Sequence, residues 1–89
     1  MKAVITAVGC DRIGIIAGIS KVLAEKNVNI MDITQTIMQE YFTMTMLVDI
    51  SKASVQFNEL KESIEEEGRE LKISILIQRE EIFKSMHRI

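Results

Sequence analysis

The run Tyr41-Phe42-Thr43-Met44-Thr45-Met46-Leu47-Val48-Asp49-Ile50 constrains this chain more than any other. Phe42, Met44, Met46, Val48 and Ile50 share one face, and Tyr41, Thr43, Thr45 and Asp49 the other, with Leu47 as the exception. A period of two held for ten residues belongs to a half-buried antiparallel strand, not to a helix. The run before it, residues 29–38 (NIMDITQTIM), is separated from it only by Gln39-Glu40. That spacing predicts a tight hairpin.

The flanking segments set the rest of the topology. In residues 2–8, Val4, Thr6 and Val8 alternate with Ala3, Ile5 and Ala7, which suits a strand buried on both faces. Gly9-Cys10-Asp11-Arg12-Ile13-Gly14 reads as a loop. From Ile13 to Lys26 the apolar residues Ile15, Ile16, Ile19, Val22 and Leu23 fall at helical spacing, with Asp11 near the N-cap and Asn27 as an αL terminator. After Ser51–Ser54, a second amphipathic helix carries Val55, Phe57, Leu60 and Ile64, and Gly68 is expected to stop it. Residues 70–78 return to alternation, with Leu71, Ile73, Ile75 and Ile77 on one face and Leu76 on the other. Ile82, Phe83, Met86 and Ile89 then mark a short terminal helix over residues 80–89.

The order β-α-β-β-α-β-α admits few arrangements. Two right-handed crossovers joined by a hairpin give a four-stranded antiparallel sheet with two helices on one face. This is the α+β, ferredoxin-like βαββαβ architecture, plus a short C-terminal helix, and residues 1–89 are expected to form a single domain. The opposite sheet face carries Leu47 and Leu76 among threonines, so the tail helix or a neighbouring sheet is expected to cover part of it.

Composition narrows the function classes. With one cysteine, Cys10, and one histidine, His87, no internal disulfide is possible, and association with another chain is the expected source of extra burial. A cytoplasmic setting is expected, without a secretory signal or a membrane-spanning run. The net charge of −2, with both signs interspersed, gives no electrostatic footprint for nucleic acid or a membrane surface. RNA recognition on the open sheet face would need stacking aromatics, and Phe42 belongs instead to the apolar stripe. No nucleophile–base pair, CxxC or HxxxH spacing is present, so no catalytic residue, metal site or cofactor is expected, and no enzyme. Glu65-Glu66-Glu67 reads as a solvated helix face.

The first loop and helix start carry the strongest local signal. The first amides of a helix lack intrahelical acceptors, the dipole favours an anion, and Gly14 permits close approach. A ligand carboxylate fits that description. So does a plain structural reading, in which Asp11 caps the helix and the glycines turn the chain.

Gly9-Cys10-Asp11-Arg12-Ile13-Gly14-Ile15-Ile16-Ala17, followed by Leu23-Ala24-Glu25-Lys26-Asn27-Val28-Asn29-Ile30-Met31-Asp32-Ile33, resembles the ACT domain. Tyr41-Phe42-Thr43-Met44 and Ile82-Phe83-x-x-Met86 look like the small standalone ACT proteins of bacteria and archaea. The chain is also similar to the N-terminal part of the glycine cleavage system transcriptional repressor. Two positions depart from the pattern: Cys10, where a polar or basic residue is common, and Asn27, where glycine is usual. The resemblance implies a regulatory domain that pairs with a second copy, edge to edge or face to face, and binds a small-molecule ligand, an amino acid, at the interface. Carried over by position, Asp11, Ile13, Gly14 and Ile15 form one wall of the site, and Asn29, Ile30 and Asp32 of the other subunit form the opposing wall. Asp11 or Asp32 would accept from the ligand's ammonium, and the helix-start amides or Asn29 would donate to its carboxylate. Asn29 also reads as a turn-closing side chain, and Asp32 as a solvent-facing strand residue. The competing expectation is a ligand-free interaction subunit that presents its sheet edge and C-terminal helix to a protein partner.

Overall fold

The computed structural model describes residues 1–10 and 14–86. They form β1 (Lys2–Cys10), α1 (Ile15–Glu25), β2 (Asn29–Met38), β3 (Tyr41–Asp49), α2 (Phe57–Leu71), β4 (Ser74–Arg79) and α3 (Glu80–Met86). The four strands make one antiparallel sheet in the order β2-β3-β1-β4, as the order of periodicities requires. The hairpin between β2 and β3 turns through Gln39 and Glu40, with Gln39 at φ 57°.

The face predicted for β3 is the floor of the core. Met44, Met46 and Val48 are fully buried and Phe42 nearly so, beside Ala3, Ile5 and Ala7 of β1. Ile15, Ile19 and Leu23 of α1 and Leu60 and Ile64 of α2 close the layer above them. Each such aliphatic side chain contributes about 1.5–3 kcal/mol by leaving water. Val4 points away from this core and is still only 6% exposed, and α3 packs against that end of β1 and β4. Val8 and Leu76, further along the same face, are each 46% exposed. Burial of β1 on both faces is thus confined to its first half.

Several boundaries differ from the periodicity reading. Gly9 and Cys10 belong to β1, because Gly9 marks a close approach and not a turn: a Cβ there would lie 2.6 Å from Ile73 Cγ2. Helix α1 runs from Ile15 with Gly14 as N-cap, and the expected start at Ile13 lies outside the described residues. Helix α2 passes through Gly68 to Leu71. Gly68 is buried against β4, where a Cβ would sit 3.0 Å from Ile75 Cγ1 and 3.2 Å from the Ile73 carbonyl oxygen. The terminator is Lys72, at φ 60°, with the Ile73 N–H donating to the Gly68 carbonyl at 2.9 Å. The last turn of α2 and this terminator together take Glu70 to Ile73 out of the strand expected over 70–78.

Asn27 does adopt the αL conformation, at φ 60°, and the Val28 N–H donates back to the Leu23 carbonyl at 2.9 Å. Its side-chain amide donates to the Lys52 carbonyl at 2.8 Å, and the Ser54 N–H donates to the Lys26 carbonyl at 2.8 Å. Asparagine thus closes the helix and also ties it to the loop after β3.

Candidate functional site

The start of α1 is built by a residue that only glycine fills without strain. Gly14 sits at φ 92° and ψ 2°, and its carbonyl accepts the Gly18 N–H at 2.8 Å. Gly14 has no side chain to cap the helix, and the first turn of α1 carries no acidic residue. The amides of Ile15, Ile16 and Ala17 lack intrahelical acceptors and lie at the positive end of the helix dipole. A groove of about 270 Å³ opens here. Gly14, Ile15, Ile16 and Ala17 border it on one side, Gln35 and Ile37 of β2 on the other, and Phe42 from β3 below.

A crossover explains that partnership. Chain direction reverses from β1 into α1 and again into β2, so the start of α1 stands over the far end of β2. Asn29, the first residue of β2, lies beside the other end of the helix, roughly 16 Å away for eleven residues at 1.5 Å each. It lines a second, more polar cavity of about 360 Å³, with Asn27, Asp49, Ser51 and Lys52 around it. The Asp49 carboxylate accepts from the Ser51 N–H at 2.9 Å and the Ser51 hydroxyl at 2.7 Å, which holds it below the usual carboxylate range. The N-terminal ammonium stands 3.8 Å from the same oxygen.

Among the residues singled out in the sequence, Gly14 and Ile15 therefore border the α1 groove, and Asn29 belongs to the polar cavity. Ile30 packs against the core at a bulge, and Asp32 follows that bulge. Asp32 is in register with Leu47, on the sheet face away from the helices, and its carboxylate accepts from the Ile33 N–H at 2.9 Å. One chain does not bring the two proposed walls together. Asp11 and Ile13 lie outside the described residues. Among the described residues, no group of three or more metal-ligating side chains converges. Sequence reasoning missed Gln35, Ile37 and Phe42 as groove residues, although the βαβ order implies that the helix start overlies the end of the second strand.

Strand β2 itself is exposed along nearly its whole length. From Met31 to Met38 every residue is exposed, with Ile37 at 54% and Met38 at 68%. It is an edge strand that helix α1 scarcely covers. Among the described residues no helix is long and apolar enough to cross a membrane.

Comparison with known proteins gives a consistent family. The ACT domain profile matches residues 2–78. A UPF0237 protein of Clostridium acetobutylicum is 56% identical over 89 residues, the full length of both chains. An ACT domain protein from Streptococcus pneumoniae superposes with a TM-score of 0.81 at 45% identity, over 94% of each chain. A chain assigned as a glycine cleavage system transcriptional repressor superposes with a TM-score of 0.77 at 26% identity, over 88% of this chain and 44% of that one.

Proposed function

Because this chain belongs to the ACT-domain family, we propose that it is a regulatory domain of the cytoplasm that senses an amino acid at an interface between two copies and signals through protein contact. The observation that carries this reading is the start of α1, where the N-cap residue Gly14 brings no side-chain cap of its own, opening into a groove walled by an uncovered edge strand. The ligand's carboxylate is set against the amides of Ile15, Ile16 and Ala17, where the helix dipole favours negative charge. Its ammonium requires an acceptor. Of the two carboxylates implied by position, Asp32 lies on the other sheet face, which favours Asp11, just before Gly14 in sequence. Similarity to a chain assigned as a transcriptional repressor supports a regulatory role, with no chemical step in it.

Calorimetric titration against a panel of amino acids, glycine and serine included, tests the proposal. Saturable heat from at least one of them, weakened about tenfold or more by Asp11→Asn, is the expected result, since a charge-assisted hydrogen bond contributes about 1.5–3 kcal/mol. No heat from any of them with folded protein overturns it.

A second reading, a ligand-free interaction subunit, is favoured by Ile82 of α3, which is 49% exposed. A chain shortened before Ile82 separates the two. Under the first reading it keeps its titration heat; under the second it loses a protein partner, and no amino acid gives heat with either chain.

A further inference from the structure

The groove at the start of α1 is walled by apolar side chains with one exception. Among the described residues that border it, Ile15, Ile16, Ala17, Ile37 and Phe42 are apolar, Gln35 brings an uncharged amide, and none carries a charge. Ile37 and Phe42 stand opposite each other in the β2–β3 register, so the strand wall and the bottom of the groove form one apolar surface. We infer that the amino acid received here has an uncharged aliphatic side chain, as in leucine, isoleucine, valine or methionine, and that Ile37 selects it. The inference rests on the amino-acid-sensing reading above and narrows its ligand, using only the walls that one chain supplies.

The ligand's own geometry directs its side chain to that surface. With the carboxylate on the amides of Ile15, Ile16 and Ala17 and the ammonium toward Asp11, the remaining substituent on its Cα points away from α1. It crosses the groove to β2 and meets Ile37, with Phe42 beneath. Phe42 is already buried, whereas Ile37 is 54% exposed, so Ile37 is the apolar surface that a ligand side chain takes out of water. Burying a leucine-sized side chain against it strengthens binding about tenfold or more. An apolar wall separates one aliphatic side chain from another only weakly, so the structure assigns the class and not one member of it.

The same walls disfavour other side chains. A carboxylate, ammonium or guanidinium set against Ile37 and Phe42 loses water without gaining an opposite charge from any described wall residue. Charged groups border the cavity at the other end of α1 instead, where Asp49 and Lys52 stand. Glycine and serine offer the same carboxylate to the α1 amides but leave Ile37 in solvent. The groove of about 270 Å³ holds roughly nine waters at about 30 Å³ each, more room than either of them fills. Gln35, two residues before Ile37 on the same strand face, carries a neutral amide that demands no charged partner.

Ranking ligands on the full chain and on variants at one exposed position tests the inference. In calorimetric titration, L-leucine or L-isoleucine is expected to bind about tenfold or more tighter than glycine and L-serine. L-glutamate and L-lysine are expected to give no heat at concentrations that saturate with leucine. Ile37→Ala is expected to weaken leucine several-fold and leave glycine, read by competition, unchanged, so the ratio of the two affinities falls. Ile37→Val restores most of that ratio, and Ile37→Glu weakens leucine about tenfold or more. Because Ile37 stands in solvent, thermal melts of the variants are expected to match the parent chain. No heat from any amino acid overturns both this inference and the sensing reading. Binding in which glycine, serine, glutamate or lysine equals or exceeds the aliphatic amino acids overturns the inference and leaves the sensing reading standing. A preference for leucine that Ile37→Ala leaves intact overturns the role of Ile37.

Discussion

Glycine does two different jobs in this chain, and substitution separates them. At Gly14 a Cβ would meet nothing within 4 Å, so Gly14→Ala pays only for the left-handed backbone, about 1–2 kcal/mol. At Gly68 the conformation is helical and the obstacle is β4, so Gly68→Ala costs about 1–3 kcal/mol through forced repacking, despite alanine's better helix propensity. Urea unfolding of the two variants measures both losses. A neutral Gly68→Ala contradicts the close approach of α2 to β4. Asp49 adds a pH dependence. Its folded value is lowered by the Ser51 hydrogen bonds, so the folded state holds the proton less tightly than the unfolded chain does. Its stabilisation is present above the ordinary carboxylate value of about 4 and is lost as pH falls through the lower folded value. Acid unfolding of Asp49→Asn is expected to show a shallower loss of stability across that window, by a small amount because the carboxylate faces solvent.

Among the elements, the helix ends are the most instructive. Lys72 holds φ 60°, a conformation that costs a side chain about 1–2 kcal/mol and glycine almost nothing. Lys72→Gly is therefore expected to raise stability by about 1 kcal/mol in denaturant melts. Asn27→Gly is expected to gain less, because asparagine tolerates αL and its side chain also holds the Lys52 carbonyl. The same residues mark how far the sequence could be read. The alternation of β3 was decisive because its two faces differ in polarity at nearly every position, and its neighbours followed from it. The end of α2 was not legible, because a glycine inside a helix and a glycine ending one look alike until the packing of Ile75 is known. Asn27 was legible because asparagine has few other reasons to stand after a helix. On the site, the sequence pointed to Gly14 and Ile15 but gave no account of Gln35 or Ile37, whose role comes from crossover geometry and not from residue type.

At the scale of the whole molecule, the sheet is finished on one side and open on another. The helix layer buries Ile5, Met44, Met46 and Ile64 completely, whereas β2 leaves Met31, Ile33, Ile37 and Met38 in solvent. A chain of 89 residues gains little stability from a core of this size alone, so the exposed edge is where further burial is available. The groove at the start of α1 ends on that same edge, at Gln35 and Ile37 of β2. Under the proposed function, an amino acid bound there would contact both copies and shift the balance between paired and unpaired chains by its differential affinity. The central claim is that the amides at the start of α1 receive the ligand. Backbone amide NMR spectra recorded during titration with the amino acid of highest affinity in the panel test it most directly. The account predicts the largest shifts at Ile15, Ile16 and Ala17, with smaller ones at Gln35 and Ile37. Saturation with those amides unmoved, or with shifts centred on Asn29, Ser51 and Lys52 at the other end of the helix, would contradict it.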